Sequence, residues 1–274
     1  MTSTPLSAPG LSAVVFDWAG TMIDHGSQAP MGVFVKAFAQ FGVEITVAEA
    51  RGPMGMAKRD HIKTLLAEPR IAGAWKAAHG ADPTETNIDA VYEVFVPMNV
   101  AVVTDFANLI EGAAETARRI RARGLKIGST TGYIREIMAP LLPLAAEQGY
   151  APDNLVCAGD LAEGRPTPLM MYRTFLDLGV WPASSVVKVD DTEVGIAEGL
   201  NAGCWTVGVA LTGNVFGLNA AETEALDATT YHQMRDAAYS RLTRAGAHYV
   251  IDSVADLDPV LDEIEGALAR GERP

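Results

Sequence analysis

Two rhythms of apolar and polar positions run along this chain. Residues 11–16 form an apolar run of strand character that stops at Asp17, and a small turn containing Gly20 follows. The strand rhythm then disappears. Met31, Phe34, Val35, Phe38 and Phe41 recur at helical spacing over residues 30–41, and Gly42 closes that helix. Further helical patterns cover residues 56–66, 71–79 and 84–103, punctuated by Pro53, Pro69 and Pro83. Alternation resumes with a helix at 112–124, a strand at 125–131 and a helix at 134–148. A strand at 154–158, a helix at 168–179, a strand at 185–190 and a helix at 194–202 come next. A strand at 205–211, a mostly helical stretch at 220–246, a short strand at 248–251 and a helix at 256–270 complete the chain. Strands alternating with helices predict a parallel sheet covered on both faces. The expected fold is α/β: a Rossmann-like parallel-sheet core from residues 1–25 and 105–274, with an inserted all-helical cap domain over 26–104.

Composition narrows the class of function. With 274 residues, 49% of them hydrophobic, there is material for a large core. A net charge of −13 argues against a nucleic-acid partner, because phosphate backbones demand clustered Lys and Arg. It leaves room for a small anionic substrate, which needs only a few local cations. No stretch approaches the ~20 consecutive apolar residues of a membrane span. Residues 1–10 lack the basic region and apolar centre of a signal peptide. Cys157 and Cys204 follow no metal-ligand spacing and have no neighbour suggesting a disulfide. A cytoplasmic protein is expected.

Candidate chemistry gathers at the ends of the strands. Asp17 closes the first, where open α/β sheets place their ligand crevice, although a lone Asp there serves equally well as a helix cap. Ser129, Thr130, Thr131, Gly132 and Tyr133 end the strand after the insert, and hydroxyls with backbone N–H groups at such a turn suit phosphoryl oxygens. Asp190 and Asp191 end another strand. Carboxylates converging there with a phosphoryl group favour a hard ion such as Mg²⁺, and the bland alternative is an acidic helix N-terminus. In the insert, at ~100° per residue, Lys58 lies near the centre of the apolar stripe Ile62, Leu65 and Leu66, with His61 and Met54 on one flank. Such a lysine either snorkels over apolar surface or, partly desolvated, becomes a nucleophile toward carbonyls.

The set Asp17-Trp18-Ala19-Gly20-Thr21, Gly128 to Tyr133, Gly164-Arg165-Pro166 and Asp190-Asp191-Thr192 resembles the four motifs of the haloacid dehalogenase superfamily. With Pro53-Met54-Gly55 and Lys58 added, it resembles the phosphonoacetaldehyde hydrolase (phosphonatase) family within it. The resemblance implies hydrolysis of the C–P bond of a small-molecule phosphonate, phosphonoacetaldehyde, to acetaldehyde and phosphate in 2-aminoethylphosphonate breakdown. Asp17 is then the nucleophile, Thr131 (or Thr130) holds phosphoryl oxygen and Arg165 balances charge. Mg²⁺ is implied, with Asp17, the Ala19 carbonyl and Asp191 or Asp190 as ligands. Lys58 forms the Schiff base and His61 shuttles protons, while Met54, Tyr133 and Gly132 shape the pocket. The resemblance also implies a homodimer through the cap, for which the aromatic and Met residues of 31–41 are available.

Three positions depart from the wider superfamily pattern. Ala19 stands where phosphatases and mutases carry a second, proton-donating Asp, so a leaving alkoxide is not provided for. Asp190 stands where Gly is common, and Gly195 where an acidic residue is common. An ordinary phosphatase or mutase of small phosphate esters is the first rival reading, though it calls for an Asp at 19 and no Lys58. A catalytically silent phosphate-binding module is the second, though it has no reason to keep Asp17, Arg165 and the Asp pair.

Overall fold

The computed structural model describes residues 10–274, so the expectation about residues 1–10 lies, Gly10 apart, outside the described residues. Six parallel strands are present among them, in the order β3-β2-β1-β4-β5-β6. They are β1 (Ala13–Phe16), β2 (Lys126–Thr131), β3 (Val156–Cys157), β4 (Val186–Asp190), β5 (Trp205–Val209) and β6 (Tyr249–Ile251). Every residue of β1, β4 and β5 is buried. A sheet buried on both faces is what near-continuous Val-rich runs produce. The central position of β1 matters most for function, since Phe16 lies in register with Ser129 of β2 and Val189 of β4. One step further along, Asp17, the hydroxyls of β2 and the carboxylates of β4 emerge side by side.

Helices α6 (Ala113–Ala122), α7 (Arg135–Glu147), α8 (Leu169–Leu178), α9 (Glu193–Ala202), α10 (Ala220–Glu224), α11 (Ala228–Arg244) and α12 (Leu257–Ala269) accompany the sheet. Between β1 and β2 lie α1 (Ala29–Ala39), α2 (Val47–Arg51), α3 (Lys58–Ala67), α4 (Pro69–His79) and α5 (Glu85–Val103), with no strand among them. The helical cap expected from periodicity is therefore present. Its interior includes Phe34 stacked on both Phe95 and His61, with centroids 4.3 and 4.1 Å away. Met31, Phe34 and Phe38 are buried within the chain's own core. Of the residues at 31–41 available to a pairing face, these three pack inward on the cap, and Phe41 is half-buried.

Other differences are local and have local causes. The α2 helix escapes periodicity because five residues make barely more than a turn; its start is marked by a Thr46–Glu49 capping box. The helical stretch 220–246 divides at Asp227, whose side chain accepts from the Thr229 and Thr230 N–H groups and opens α11. The strand expected at 154–158 shortens to β3. Upstream of it, Asp153 and Asn154 use side-chain oxygens to accept from the N–H groups of Ile127 and Ser129, and the Asp153 N–H donates to the Ile127 carbonyl at 2.7 Å. Among the described residues no helix is long and apolar enough to cross a membrane.

Candidate active site

Asp17 leaves β1 into a cavity that also meets Ala19, Ser27, Met54, Gly55, Lys58, Thr131, Gly132, Tyr133, Arg165 and Thr192. Core and cap thus share one enclosure. Its free volume of ≈ 20 Å³ holds about one water molecule, so the cap is closed over the carboxylate. The fit is tight at Gly132, where a Cβ would stand 2.7 Å from the Met56 carbonyl oxygen. Only glycine lets the cap loop approach that turn so closely.

Arg165 lies behind Asp17 and is buried. Its guanidinium pairs with Asp17 at 2.9 Å, Glu198 at 3.0 Å and Asp190 at 3.3 Å. Burial alone would lower its pKa, but Glu198, Asp17 and Asp190 outweigh that and keep it charged. Lys188, in the fully buried β4, pairs with Asp190 at 3.1 Å and Glu198 at 3.2 Å. Thr130 joins this network: its hydroxyl donates to Glu198 and accepts from Arg165 and Lys188, each at 2.8 Å. Of the two threonines, Thr131 therefore faces the cavity, while Thr130 lies in the ionic layer beneath it. Sequence reasoning missed Lys188 and Glu198. The signal was available in Lys188, a cation in the middle of the apolar run Val186-Val187-Lys188-Val189.

The ligand oxygens of Asp17, Asp190 and Asp191 lie within 4.8 Å of one another. The two neighbours, one closing β4 and one just after it, differ in their surroundings. Asp190 accepts from the Thr192 N–H and hydroxyl, at 3.0 and 2.7 Å, besides its two ion pairs. Burial raises its pKa, but Lys188 and Arg165 overcome this and hold it below the ordinary value. Asp191 accepts from the Thr21 hydroxyl at 3.0 Å and the Asn214 N–H at 2.7 Å. It forms no ion pair among the described residues. Burial, with Asp17 and Asp190 adding to it, pushes its pKa well up. Burial likewise raises Asp17, against Arg165. Four buried carboxylates, Asp17, Asp190, Asp191 and Glu198, face two paired cations, Arg165 and Lys188. The surplus of two negative charges suits a divalent cation with oxygen ligands. The same geometry joins two departures from the superfamily pattern into one feature: a Cβ at Gly195 would overlap the Asp190 carboxylate, so the acidic residue at 190 needs glycine at 195.

From the cap, α3 begins at Lys58, which is 3% exposed. Its Nζ lies 3.6 Å from the Met54 sulfur and 5.0 Å and 5.7 Å from the ring centroids of Tyr133 and Phe34. Burial pushes its pKa down from 10.5 to about 8, against the attraction of Asp17. Tyr133, also lining the cavity, has a hydroxyl without a partner among the described residues, and burial pushes its pKa well up. His61 is not brought to the cavity. Its ring stacks on Phe34, its Nε2 donates to the Ala50 carbonyl at 2.8 Å, and burial with Lys58 nearby keeps it neutral. Ser27 was missed by sequence reasoning. It has a φ of 51°, is 1% exposed, and its hydroxyl has no partner.

A strand-end Asp paired to a buried Arg, a hydroxyl-bearing turn beside it and a carboxylate pair on the next strand define the haloacid dehalogenase class of hydrolase. Residues 11–203 match the family model described as haloacid dehalogenase-like hydrolase. The β-phosphoglucomutase-like protein of Bacteroides vulgatus, 20% identical with a TM-score of 0.66, shares the fold over 94% of this chain and 90% of its own. The chain is much closer to a narrower set. It is 58% identical over 264 residues to the phosphonoacetaldehyde hydrolase of Paraburkholderia xenovorans, covering 96% of this chain and 99% of that one. It is 47% identical to that of Klebsiella pneumoniae over 96% and 99%. A solved structure of a phosphonoacetaldehyde hydrolase-like protein from Oleispira antarctica superposes with a TM-score of 0.96 at 44% identity, covering 100% of this chain and 99% of that one. The chain belongs to the phosphonoacetaldehyde hydrolase family.

Proposed function

We propose that this enzyme hydrolyses phosphonoacetaldehyde to acetaldehyde and phosphate, a step of 2-aminoethylphosphonate degradation, through two covalent attachments. The observation that carries the reading is a buried Lys58 amine sharing one small cavity with Asp17, at a site where Ala19 offers no acid. A pKa near 8 leaves roughly a tenth of the amine unprotonated at pH 7. The free amine adds to the aldehyde carbon, and loss of water gives a protonated imine on Nζ. Asp17 then attacks phosphorus, the C–P bond breaks, and its electron pair moves into the imine to give an enamine and an aspartyl phosphate. The leaving atom is carbon and the acceptor of its electrons is the imine nitrogen, so no proton donor is needed at position 19. The enamine takes a proton on carbon, and water releases acetaldehyde from Lys58 and phosphate from Asp17.

Arg165 steadies the transferring phosphoryl group, with the Thr131 hydroxyl and the Gly132 N–H as its oxygen site. Met54 and Tyr133 shield the imine. Asp17, the Ala19 carbonyl and Asp191 would hold Mg²⁺, which would neutralise charge on the nucleophile and the phosphoryl group. Asp190, already taken up by Lys188, Arg165 and Thr192, serves as a support for Arg165. Residues 26–104 act as one cap unit on a core of 1–25 and 105–274, opening to admit substrate and excluding water when shut. Two buried free thiols, Cys157 and Cys204, accord with a cytoplasmic setting. We assign a homodimer too. It pairs through the cap, and light scattering gives the mass.

Borohydride reduction in the presence of phosphonoacetaldehyde tests the central step. Mass is expected on Lys58, with phosphate release abolished in Lys58→Ala. Undiminished phosphate release by that variant is incompatible with the mechanism.

A further inference from the structure

At the end of α2, Arg51 reaches from the cap onto the core. Its Nη2 donates to the Gly217 carbonyl at 2.7 Å, and its Nη1 donates to the Gly26 carbonyl at 2.8 Å and to Asn214 Oδ1 at 3.1 Å. Asn214 returns a bond from Nδ2 to the Arg51 carbonyl at 3.3 Å. Gln28, on the linker leading into the cap, also donates to the Gly217 carbonyl at 2.8 Å. These contacts converge on the loop after β5, and Asn214 is buried there. The same residue whose side chain grips the cap donates its own N–H to Asp191 Oδ2 at 2.7 Å. Two positions earlier, Thr212 donates its hydroxyl to the Gly20 carbonyl at 3.0 Å, beside Ala19.

We propose that Arg51 and Asn214 are positioning residues that link closure of the cap to the placement of Asp191: the cation site is completed when the cap's arginine seats on the loop at 212–217. The inference rests on Asp191 being a cation ligand. Asp191 has no cationic side chain to fix it, so the direction of its carboxylate depends on Thr21 and the Asn214 N–H. When Arg51 leaves, the loop loses its contacts to the cap through Asn214 and one of those to Gly217, and the N–H is freed to turn. Linkage makes the effect reciprocal. If closure favours cation binding, a bound cation favours closure by the same factor.

The test uses Mg²⁺ alone, with no substrate, on the full chain. Calorimetry gives its affinity, and hydrogen exchange reports the linker 24–28 and the cap segment 47–57. In wild type, Mg²⁺ is expected to slow exchange in both segments. Arg51→Met, which keeps the stem and removes the guanidinium, is expected to weaken Mg²⁺ about fivefold or more and abolish that protection, the lower end of common coupling factors. Arg51→Lys recovers part of both. Asn214→Ala keeps the N–H to Asp191 and removes only the grip on Arg51, so it reproduces the effect and stands in if Arg51→Met does not fold. Affinity within twofold of wild type in both variants, with protection intact, overturns the proposal while leaving the cation reading standing. Failure of wild type to bind Mg²⁺ overturns both.

Discussion

Replacing Lys58 with methionine is expected to make the protein more stable while removing its activity. The amine is 3% exposed, and burial moves its pKa from 10.5 to about 8. At ~1.4 kcal/mol per pH unit, holding the protonated amine in this cavity near pH 7 costs about 3 kcal/mol relative to water. Methionine keeps an unbranched apolar stem and removes the charge. Loss of the contacts over Tyr133 and Phe34 offsets roughly 1 kcal/mol. A net gain of about 2 kcal/mol remains. The pH dependence identifies the cause. The folded amine releases its proton near 8 and the unfolded one near 10.5, so between these values the unfolded chain holds more protons and wild-type stability rises with pH. The gap between Lys58→Met and wild type is therefore full below pH 8 and closes by about pH 10.5. Urea unfolding of both proteins between about pH 7 and about pH 10.5 measures it, since groups that do not feel the Lys58 charge cancel in the difference. A variant no more stable than wild type at pH 7, or a gap that stays constant with pH, would refute the argument that desolvation activates this amine.

Other expectations follow from the buried charges. Arg165→Ala leaves Asp17, Asp190 and Glu198 short of a shared partner and should cost roughly 3–5 kcal/mol, read by the same urea method; a loss under 1 kcal/mol contradicts the network. Ala19→Asp adds a carboxylate to a site with surplus negative charge and offers an acid that a leaving carbon does not use. Phosphate release from phosphonoacetaldehyde should fall at least ~10-fold through like-charge repulsion, and wild-type turnover speaks against it. His61→Asn removes a ring held inside the cap, so borohydride trapping at Lys58 should slow by less than the roughly hundredfold that a lost proton relay costs; a larger loss restores the shuttle role.

Much of this site could be read from short stretches. Asp17 was legible because it ends an apolar run, and Thr131 through the motif it shares with the superfamily, since the stretch 125–131 is largely polar. Lys58 was legible because one helix stripe carries it. The difference between Asp190 and Asp191 was not: adjacent residues on a strand face opposite ways, and which way each faces depends on whether Lys188 and Glu198 or Thr21 and Asn214 lie there. His61 failed for a related reason. One turn from Lys58 puts its Cα close by, but the Phe34 ring and the Ala50 carbonyl decide where the imidazole points. Arg51 and Asn214 lie 163 positions apart and carry no joint signal in the linear chain.

The order of residues alone determined the α/β class, the helical insert and the chemistry at the strand ends, because secondary structure follows hydrophobic period and a strand-end carboxylate needs no distant partner. Only the tertiary structure decided which carboxylates are neutralised, which threonine faces the cavity and which apolar helix face turns inward. Those are properties of fields and contacts between segments far apart in the chain, and the energies of burial and pairing that select among them exist only once the segments have met.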